Sequence, residues 1–194
     1  MRVDSSLVGG LWTAFLLYWL IRAQFNKKAS KGTPWRAAWA VRLVVIVGVL
    51  LAMSFRRHDT AGLVASVSRH VPLHTGIPVQ WLGVGLCLAG FGLAIWARGH
   101  LGRNWGMPMS LRQDHELVTS GPYAYVRHPI YTGLLLALIG SILAVGLLWL
   151  FLFIIVLGYF LISARTEEKM MLAQFPDAYP AYRRRTKMLI PFVF

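Results

Sequence analysis

Residues 121–133 read Gly-Pro-Tyr-Ala-Tyr-Val-Arg-His-Pro-Ile-Tyr-Thr-Gly, and residues 165–168 read Arg-Thr-Glu-Glu. Between these motifs lie two apolar segments, residues 130–144 and 147–164, joined by an uncharged turn near Gly146. Charged residues are costly beside hydrocarbon and persist there mainly when they face a cavity or a partner. The apolar hairpin returns both motifs to one membrane face. We therefore expect the Arg-His pair and the Glu-Glu pair to meet there and to hold a cationic or zwitterionic ligand.

The composition indicates a membrane protein. Of the 194 residues, 57% are hydrophobic and 14% are charged, and 20 Lys and Arg stand against 7 Asp and Glu. The basic residues fall between long apolar runs, a pattern that membrane topology explains better than contacts with nucleic-acid phosphates do. We therefore expect membrane lipids and no nucleic acid as partners. The length predicts a single domain over residues 1–194.

Five apolar segments approach the roughly 20 residues that a helix needs to cross a bilayer. Three lie within residues 1–100, and two form the hairpin of the motif-bearing half, residues 101–194. The predicted spans are residues 6–25, 37–55, 77–98, 130–144 and 147–164.

The fifth span is predicted to continue beyond the membrane. Glu168, Met171, Leu172 and Phe175 follow the spacing of one helix face, which indicates an amphipathic extension to about Phe175. The predicted fold class is therefore an all-α integral membrane protein with five transmembrane helices. A cytoplasmic connector and this C-terminal amphipathic helix are expected to form the cofactor site.

The distribution of Lys and Arg predicts the orientation. Residues 22–42 hold six of them, residues 98–127 four and residues 165–187 six. The opposite side holds three in residues 56–74, none in the hairpin turn and one before the first span. Because cytoplasmic loops carry the excess of Lys and Arg, the N-terminus is expected outside the cell (inner) membrane. The C-terminus and both motifs are then cytoplasmic.

The motif before the fourth span offers ligands for a small molecule. Pro129 suits the first turn of a helix, which places Arg127 and His128 at the positive end of the helix dipole, where an anionic group is favoured. Tyr123 and Tyr131 offer aromatic faces for a base or a sulfonium. A belt of Arg and Tyr at the membrane interface is the alternative explanation.

Glu167 and Glu168 are predicted to bind a cofactor. Two adjacent acids repel each other and add nothing to positive-inside anchoring, and ionisable residues at the membrane edge indicate function. Their carboxylates suit ribose hydroxyls or an amino group. A salt bridge to Arg127, Arg165 or Lys169 at a solvated rim is the alternative.

The connector after the third span contains further candidates. Asn104 is suited to orienting a carbonyl or carboxylate, or to capping a turn. His115 precedes Leu117 and Val118, whose backbone can pair with a flat ring, although a surface-loop role explains His115 equally well. No group of His, Cys and acidic residues has the spacing of metal ligands, so no metal site is predicted.

The glycines of the third span predict close helix packing. Gly83, Gly85, Gly90 and Gly92 form two Gly-x-Gly triplets. No strand precedes them, so a dinucleotide-binding fold is excluded, and small residues let membrane helices approach each other. Cys87, the single cysteine, is expected to be a buried small hydrophobic residue.

Over about residues 101–191 the chain resembles the isoprenylcysteine carboxyl methyltransferase family and its prokaryotic relatives. Arg-His-Pro-x-Tyr followed at this distance by Glu-Glu is the most specific part of the resemblance. The matching motifs are Leu-Gly-x-Asn-Trp at 101–105, His-x-Leu-Val at 115–118, Gly-x-Tyr at 121–123, Arg-His-Pro-x-Tyr-x-Gly at 127–133, Glu-Glu at 167–168 and Phe-x-Asp-x-Tyr-x-x-Tyr at 175–182.

The resemblance implies an S-adenosylmethionine-dependent methyltransferase without a soluble Rossmann domain. A lipophilic or lipid-linked acceptor, with a carboxylate or thiol to be methylated, would enter from the bilayer. In the family pattern, the backbone of Leu117 and Val118 would contact adenine, and Tyr123 would line the cofactor. The predicted cofactor-binding residues are His115, Leu117, Val118, Tyr123, His128, Pro129, Tyr131, Glu167 and Glu168, and the predicted catalytic residues are Arg165, Asn104 and Arg127.

Two alternatives remain open at the level of the sequence. Membrane lipid and sterol reductases look similar in this region, and the basic run at residues 183–185 could bind the 2′-phosphate of NADPH. Anchoring to anionic lipid explains the same run more simply. A non-enzymatic membrane scaffold is the second alternative, although an acid pair and an Arg-His-Pro turn on one face exceed what a scaffold needs.

Overall fold

A computed structural model describes residues 3–23, 29–32, 76–102, 110–112 and 116–191. The second predicted span, residues 37–55, lies outside the described residues. Asn104 and His115 lie outside them as well.

The described chain is mainly helical, as the sequence predicts. The boundaries of the helices fall within a few residues of the predicted spans, and the fifth span continues as a helix to Gln174, as expected. The elements in chain order are α1 (Ser5–Ala23), β1 (Ala29–Gly32), α2 (Ile77–Leu101), β2 (Ser110–Arg112), a 3-10 turn (Gly121–Ala124), α3 (Pro129–Val145), α4 (Leu148–Gln174) and α5 (Ala178–Arg185).

Three of the described helices, α1, α2 and α4, are long and apolar enough to cross a membrane. α3, at 17 residues, is an apolar helix of shorter length. Large apolar side chains cover the outer faces of these helices; Leu20 is 63% exposed and Phe151 62%. Hydrocarbon solvates such surfaces and water does not, so the chain is an integral membrane protein.

Glycines set the contact between α2 and α3. A Cβ placed on Gly90 would lie 2.6 Å from the backbone nitrogen of Ala137, and one on Gly140 would lie 2.6 Å from that of Cys87. Neighbouring backbones approach this closely only where side chains are absent. The predicted packing role is confirmed for Gly83 and Gly90. Among the described residues, no heavy atom lies within 4 Å of a Cβ placed on Gly85 or Gly92.

Aromatic residues attach α1 to α2 and α4, and a hydrogen bond attaches it to α3. The Trp12 ring lies edge-on to Phe91, with centroids 4.9 Å apart, and stacks on Trp149 at 5.8 Å. Its indole Nε1 donates to Ser141 Oγ at 3.0 Å inside the bundle. Buried indoles need such a partner. Cys87 is buried nearby with its Sγ 3.3 Å from the same Ser141 Oγ, as its apolar setting predicted.

The turn between α3 and α4 forms at Gly146, as predicted. Its φ of 134° is a conformation that residues with a side chain rarely adopt. The antiparallel return of α4 brings Glu167 and Glu168 back to the level of the α3 N-terminus. This geometry builds the site.

A small strand pair was not predicted. β1 and β2 pair antiparallel, with Lys31 opposite Leu111 and Gly32 opposite Ser110, and the register is irregular between Ala29 and Lys31. The pair joins the segment after α1 to the connector after α2. The all-α prediction is confirmed for the described spans, and the ribbon is a small addition whose short polar sequences carry little strand signal.

Candidate functional site

The Arg-His-Pro motif begins α3. Pro129 is the first helical residue and His128 the N-cap, as the sequence predicts. The C-terminal tail runs beside the motif in parallel: the backbone nitrogen of Arg127 donates to the carbonyl of Lys187 at 2.8 Å, and that of His128 to Met188 at 3.1 Å. The tail therefore fixes the two residues by their backbone.

Glu168 is buried, with 4% of its surface exposed. Its Oε1 accepts from Arg127 Nε at 2.7 Å, and its Oε2 lies 3.4 Å from Arg183 Nε. The same Arg127 also donates through Nη1 to the carbonyls of Thr186 and Arg183 at the end of α5. One guanidinium thus joins the acid on α4 to the C-terminal end of α5, where a positive charge is favoured by the helix dipole.

His128 lies between the two glutamates. Its Nδ1 is 3.5 Å from Glu167 Oε2, and its Nε2 is 3.6 Å from Glu168 Oε1. Burial acts to lower the pKa of His128, but the two neighbouring carboxylates outweigh it, so the pKa is raised above its ordinary value. The cluster therefore favours an imidazolium between two carboxylates.

Three aromatic rings form a wall beside the acids. The rings of His128 and Tyr131 stack nearly parallel with centroids 5.4 Å apart, and Tyr131 stacks on Phe160 at 4.2 Å. The Tyr131 hydroxyl donates a short hydrogen bond to Glu167 Oε1. This wall joins a π surface to a carboxylate, which suits a cationic group of a ligand.

The 3-10 turn before the Arg-His-Pro motif is held in place at Tyr123 and at Gly121. Tyr123 is buried, and its carbonyl accepts from the hydroxyl of Tyr182 at 2.8 Å. Burial raises the pKa of Tyr182 to about 12, so this hydroxyl stays a donor at neutral pH. Gly121 has a φ of 59°, and a Cβ there would lie 2.8 Å from Cε1 of His100. The turn thus requires glycine for its conformation.

The structure brings seven of the predicted residues to one cluster. Leu117 and Val118 are half-buried, and Val118 packs against the apolar core. Arg165 is exposed, and the described contacts of the cluster do not include it. The clustered residues are Tyr123, Arg127, His128, Pro129, Tyr131, Glu167 and Glu168.

Sequence reasoning missed the part that the tail plays in this cluster. Arg183 was assigned to lipid anchoring or to a nucleotide phosphate, whereas the structure places its Nε on Glu168. Tyr179, Tyr182 and Thr186 are buried. Their i, i+3, i+7 spacing marks one helix face and could have predicted that α5 packs on the site.

Comparisons with known proteins agree with this fold. The family model of the isoprenylcysteine carboxyl methyltransferase (ICMT) family matches residues 82–173. A solved structure of the eukaryotic intramembrane Ras methyltransferase ICMT superposes with a TM-score of 0.55 at 25% identity, covering 71% of this chain and 54% of that one. The fold is therefore that of a membrane-embedded helical protein, and it is similar to that of this methyltransferase.

Curated relatives include two yeast proteins and a bacterial one. Protein-S-isoprenylcysteine O-methyltransferase of Schizosaccharomyces pombe is 39% identical over 83 residues, which cover 42% of this chain and 35% of the relative. The protein of the same name from Saccharomyces cerevisiae is 38% identical over 82 residues, 41% of this chain and 34% of the relative. Cobalt-zinc-cadmium resistance protein CzcN of Cupriavidus metallidurans is 34% identical over 97 residues, 47% of this chain and 43% of the relative.

Residues 82–173, just under half of the chain, are similar to the isoprenylcysteine carboxyl methyltransferase family. The predicted family resemblance is thereby confirmed. The matched segment spans about a third to two fifths of the length of the curated relatives. It contains α3 and the acid pair and ends before α5, so the residues of the tail described above lie outside it.

Proposed function

We propose that this protein transfers a methyl group from S-adenosylmethionine to a lipophilic acceptor that carries a carboxylate or thiol. The observation that carries the proposal is the acid pair, because Glu167 and Glu168 are held by Arg127 and His128 against an aromatic wall at the ends of α3 and α4. An ion-paired rim without a ligand needs neither the wall nor the burial.

The residues present fit S-adenosylmethionine. Glu167 keeps 24% of its side chain exposed and can accept from an amino group or from ribose hydroxyls. The aromatic face of Tyr131 suits a sulfonium. Within the part of the chain that the structure describes, the buried Nε2 of His128 faces Oε1 of Glu168 at 3.6 Å and makes no shorter polar contact.

When bound, S-adenosylmethionine supplies an electrophilic methyl group that a carboxylate or thiolate takes by in-line displacement, leaving S-adenosylhomocysteine as the neutral thioether. Such an acceptor needs no general base, so the residues act by positioning and by excluding water. In this proposal the backbone of Leu117 and Val118 contacts adenine, and His115 and Pro129 complete the cofactor site. Tyr123 lines the cofactor together with His128 and Tyr131.

Binding of the acceptor anion is proposed for Arg165, Asn104 and Arg127, since a guanidinium can hold a carboxylate by two hydrogen bonds. Arg127 has already committed Nε and Nη1 to protein acceptors. Arg127 would therefore bind the acceptor anion through Nη2 or attract it by its positive charge.

The acceptor class follows from the membrane setting and the relatives. The yeast relatives are named for S-isoprenylcysteine, and we propose a prenylcysteine-like or other lipid-linked acceptor that enters from the bilayer. The site is proposed to face the cytoplasm at the cell (inner) membrane, with the N-terminus outside, in agreement with the distribution of Lys and Arg.

Methyl incorporation tests this function. Detergent-purified protein is incubated with methyl-tritiated S-adenosylmethionine and N-acetyl-S-farnesyl-L-cysteine, and base treatment of the extracted product releases volatile label from an ester but not from a thioether. Label in the lipid extract of the wild type, and its loss in the Glu167→Gln/Glu168→Gln variant, supports the proposal. Should a panel of lipophilic carboxylates and thiols remain unlabelled although the protein is folded, the proposed activity is wrong.

A further inference from the structure

We propose that Arg183, in the C-terminal tail, binds the carboxylate of the methyl acceptor. This inference rests on the proposed methyltransferase function and names a specificity residue for it. The residue lies beyond the segment that matches the family, residues 82–173.

The position of Arg183 combines proximity with access. Its Nε lies 3.4 Å from Oε2 of the buried Glu168, yet its side chain is 53% exposed. A guanidinium presents five N–H donors in a planar fork, so contact through Nε leaves donors for a second partner. Arg183 therefore stands at the edge of the acid pair with part of its guanidinium open to an incoming ligand.

Arg127 and Arg165, the two arginines that the sequence predicts to be catalytic, are less well placed than Arg183 to bind an acceptor in the described structure. The Arg127 side chain is 8% exposed and bridges Glu168 to the end of α5. Arg165 is exposed, and its contacts do not reach the described cluster. Arg183 alone among these three combines a contact to the acid pair with an exposed side chain.

The charges of the cluster favour an anion as well. At a pH below the raised pKa of His128, its imidazolium joins Arg127 and Arg183 as a third cation facing the two carboxylates of Glu167 and Glu168. At such a pH the described cluster has one positive charge in excess. A monoanionic carboxylate beside Arg183 balances this charge, whereas a neutral amide of the same shape does not.

Backbone contacts hold Arg183 in place. Its carbonyl accepts from Arg127 Nη1 at 3.3 Å, and the preceding Tyr182 is fixed by its hydrogen bond to Tyr123. The backbone that carries the Arg183 side chain is therefore fixed relative to the site. Such preorganisation reduces the entropy cost of binding.

The test separates the carboxylate of the acceptor from that of the cofactor. Protein saturated with S-adenosylhomocysteine is titrated with N-acetyl-S-farnesyl-L-cysteine and with its carboxamide, for the wild type, Arg183→Gln and the control Arg184→Gln. Affinity for S-adenosylhomocysteine is measured separately in each. Arg184 is the exposed neighbour on the same helix.

We expect Arg183→Gln to raise the Kd for the farnesylcysteine about tenfold or more, with no effect on the carboxamide. Its Kd for S-adenosylhomocysteine should stay within about threefold of the wild type, since the acid pair and Arg127 remain. Arg184→Gln should resemble the wild type in all titrations, and Arg183→Lys should recover part of the lost affinity.

Three results overturn the inference. The first is an equal loss of affinity for the farnesylcysteine and for its carboxamide in Arg183→Gln. The second is a loss of affinity in that variant for S-adenosylhomocysteine alone, which assigns Arg183 to the carboxylate of the cofactor. The third is a wild type that binds S-adenosylhomocysteine but neither farnesylcysteine probe. In all three the methyltransferase proposal survives. A wild type that fails to bind S-adenosylhomocysteine overturns the proposed function itself.

Discussion

Arg127 donates from Nε to Oε1 of Glu168 at 2.7 Å, across 41 positions of sequence. Both side chains are buried, at 8% and 5% exposure. The contact joins the start of α3 to the C-terminal extension of α4, and Nη1 of Arg127 reaches the end of α5. Three elements therefore depend on one guanidinium.

Replacing Arg127 by Met should destabilise the protein by about 3–5 kcal/mol, because Glu168 is left buried without its closest partner. Thermal unfolding in detergent measures the change, with Arg184→Met as the exposed control. The Arg127→Met/Glu168→Met double variant should recover much of the loss, since removal of both charges leaves neither unpaired. A double variant as unstable as the sum of the single variants would contradict this interpretation.

Gly90→Ala should lower the melting temperature, whereas Gly92→Ala should not. A Cβ at residue 90 meets the backbone of α3 at 2.6 Å, while the described surroundings of residue 92 leave its Cβ free. Overpacking of this kind costs about 1–3 kcal/mol. The two variants differ by two positions on one helix and share the same chemical change. Equal melting temperatures would show that α2 and α3 do not pack as described.

Tyr182→Phe should weaken the attachment of the tail. The variant removes the hydrogen bond to the Tyr123 carbonyl, at a cost of about 1 kcal/mol, and leaves a buried acceptor unsatisfied. Tyr125→Phe removes a hydroxyl from a side chain that is 59% exposed and serves as the matched control. Amide hydrogen exchange over residues 178–189 is expected to accelerate in the first variant and to stay at the wild-type rate in the second. The reverse order would exclude the described anchoring.

The stability of the protein should depend on the protonation of His128. Its pKa is raised in the folded protein above the ordinary value of about 6.5, so folding binds the proton more tightly. The resulting stabilisation is fully present below about pH 6.5 and is lost as the pH rises through the raised pKa. Melting temperatures of the wild type and His128→Gln should converge towards alkaline pH. A difference that does not change between pH 6 and pH 9 would contradict the proposed imidazolium.

Much of this architecture could be predicted from the sequence because it depends on local chemistry. Pro129 marks the start of α3, Gly146 marks the hairpin turn, and the periodicity after Glu168 predicts a helix to about Phe175, one residue beyond its observed end at Gln174. The return of the hairpin then brings the Arg-His and Glu-Glu pairs together. Each step uses hydropathy, helix period or one backbone preference.

The tertiary role of the tail could not be predicted in the same way. Nothing local to Arg183 shows that its Nε meets Glu168, because that contact depends on the parallel pairing of Val126 with Lys187. The sharing of Arg127 between Glu168 and the carbonyls of Thr186 and Arg183 is likewise a long-range arrangement. The paired ribbon of β1 and β2 was missed because its strands are only four and three residues long.

The most direct test of the proposed function is calorimetric titration of the purified protein with S-adenosylhomocysteine and, separately, with NADPH. The Glu167→Gln/Glu168→Gln variant, checked for folding by its melting curve, serves as the comparison. The methyltransferase account predicts saturable binding of S-adenosylhomocysteine by the wild type, a loss of that binding in the variant and no binding of NADPH. Binding of NADPH alone would favour a membrane reductase, and the same S-adenosylhomocysteine affinity in wild type and variant would contradict the role given to the acid pair.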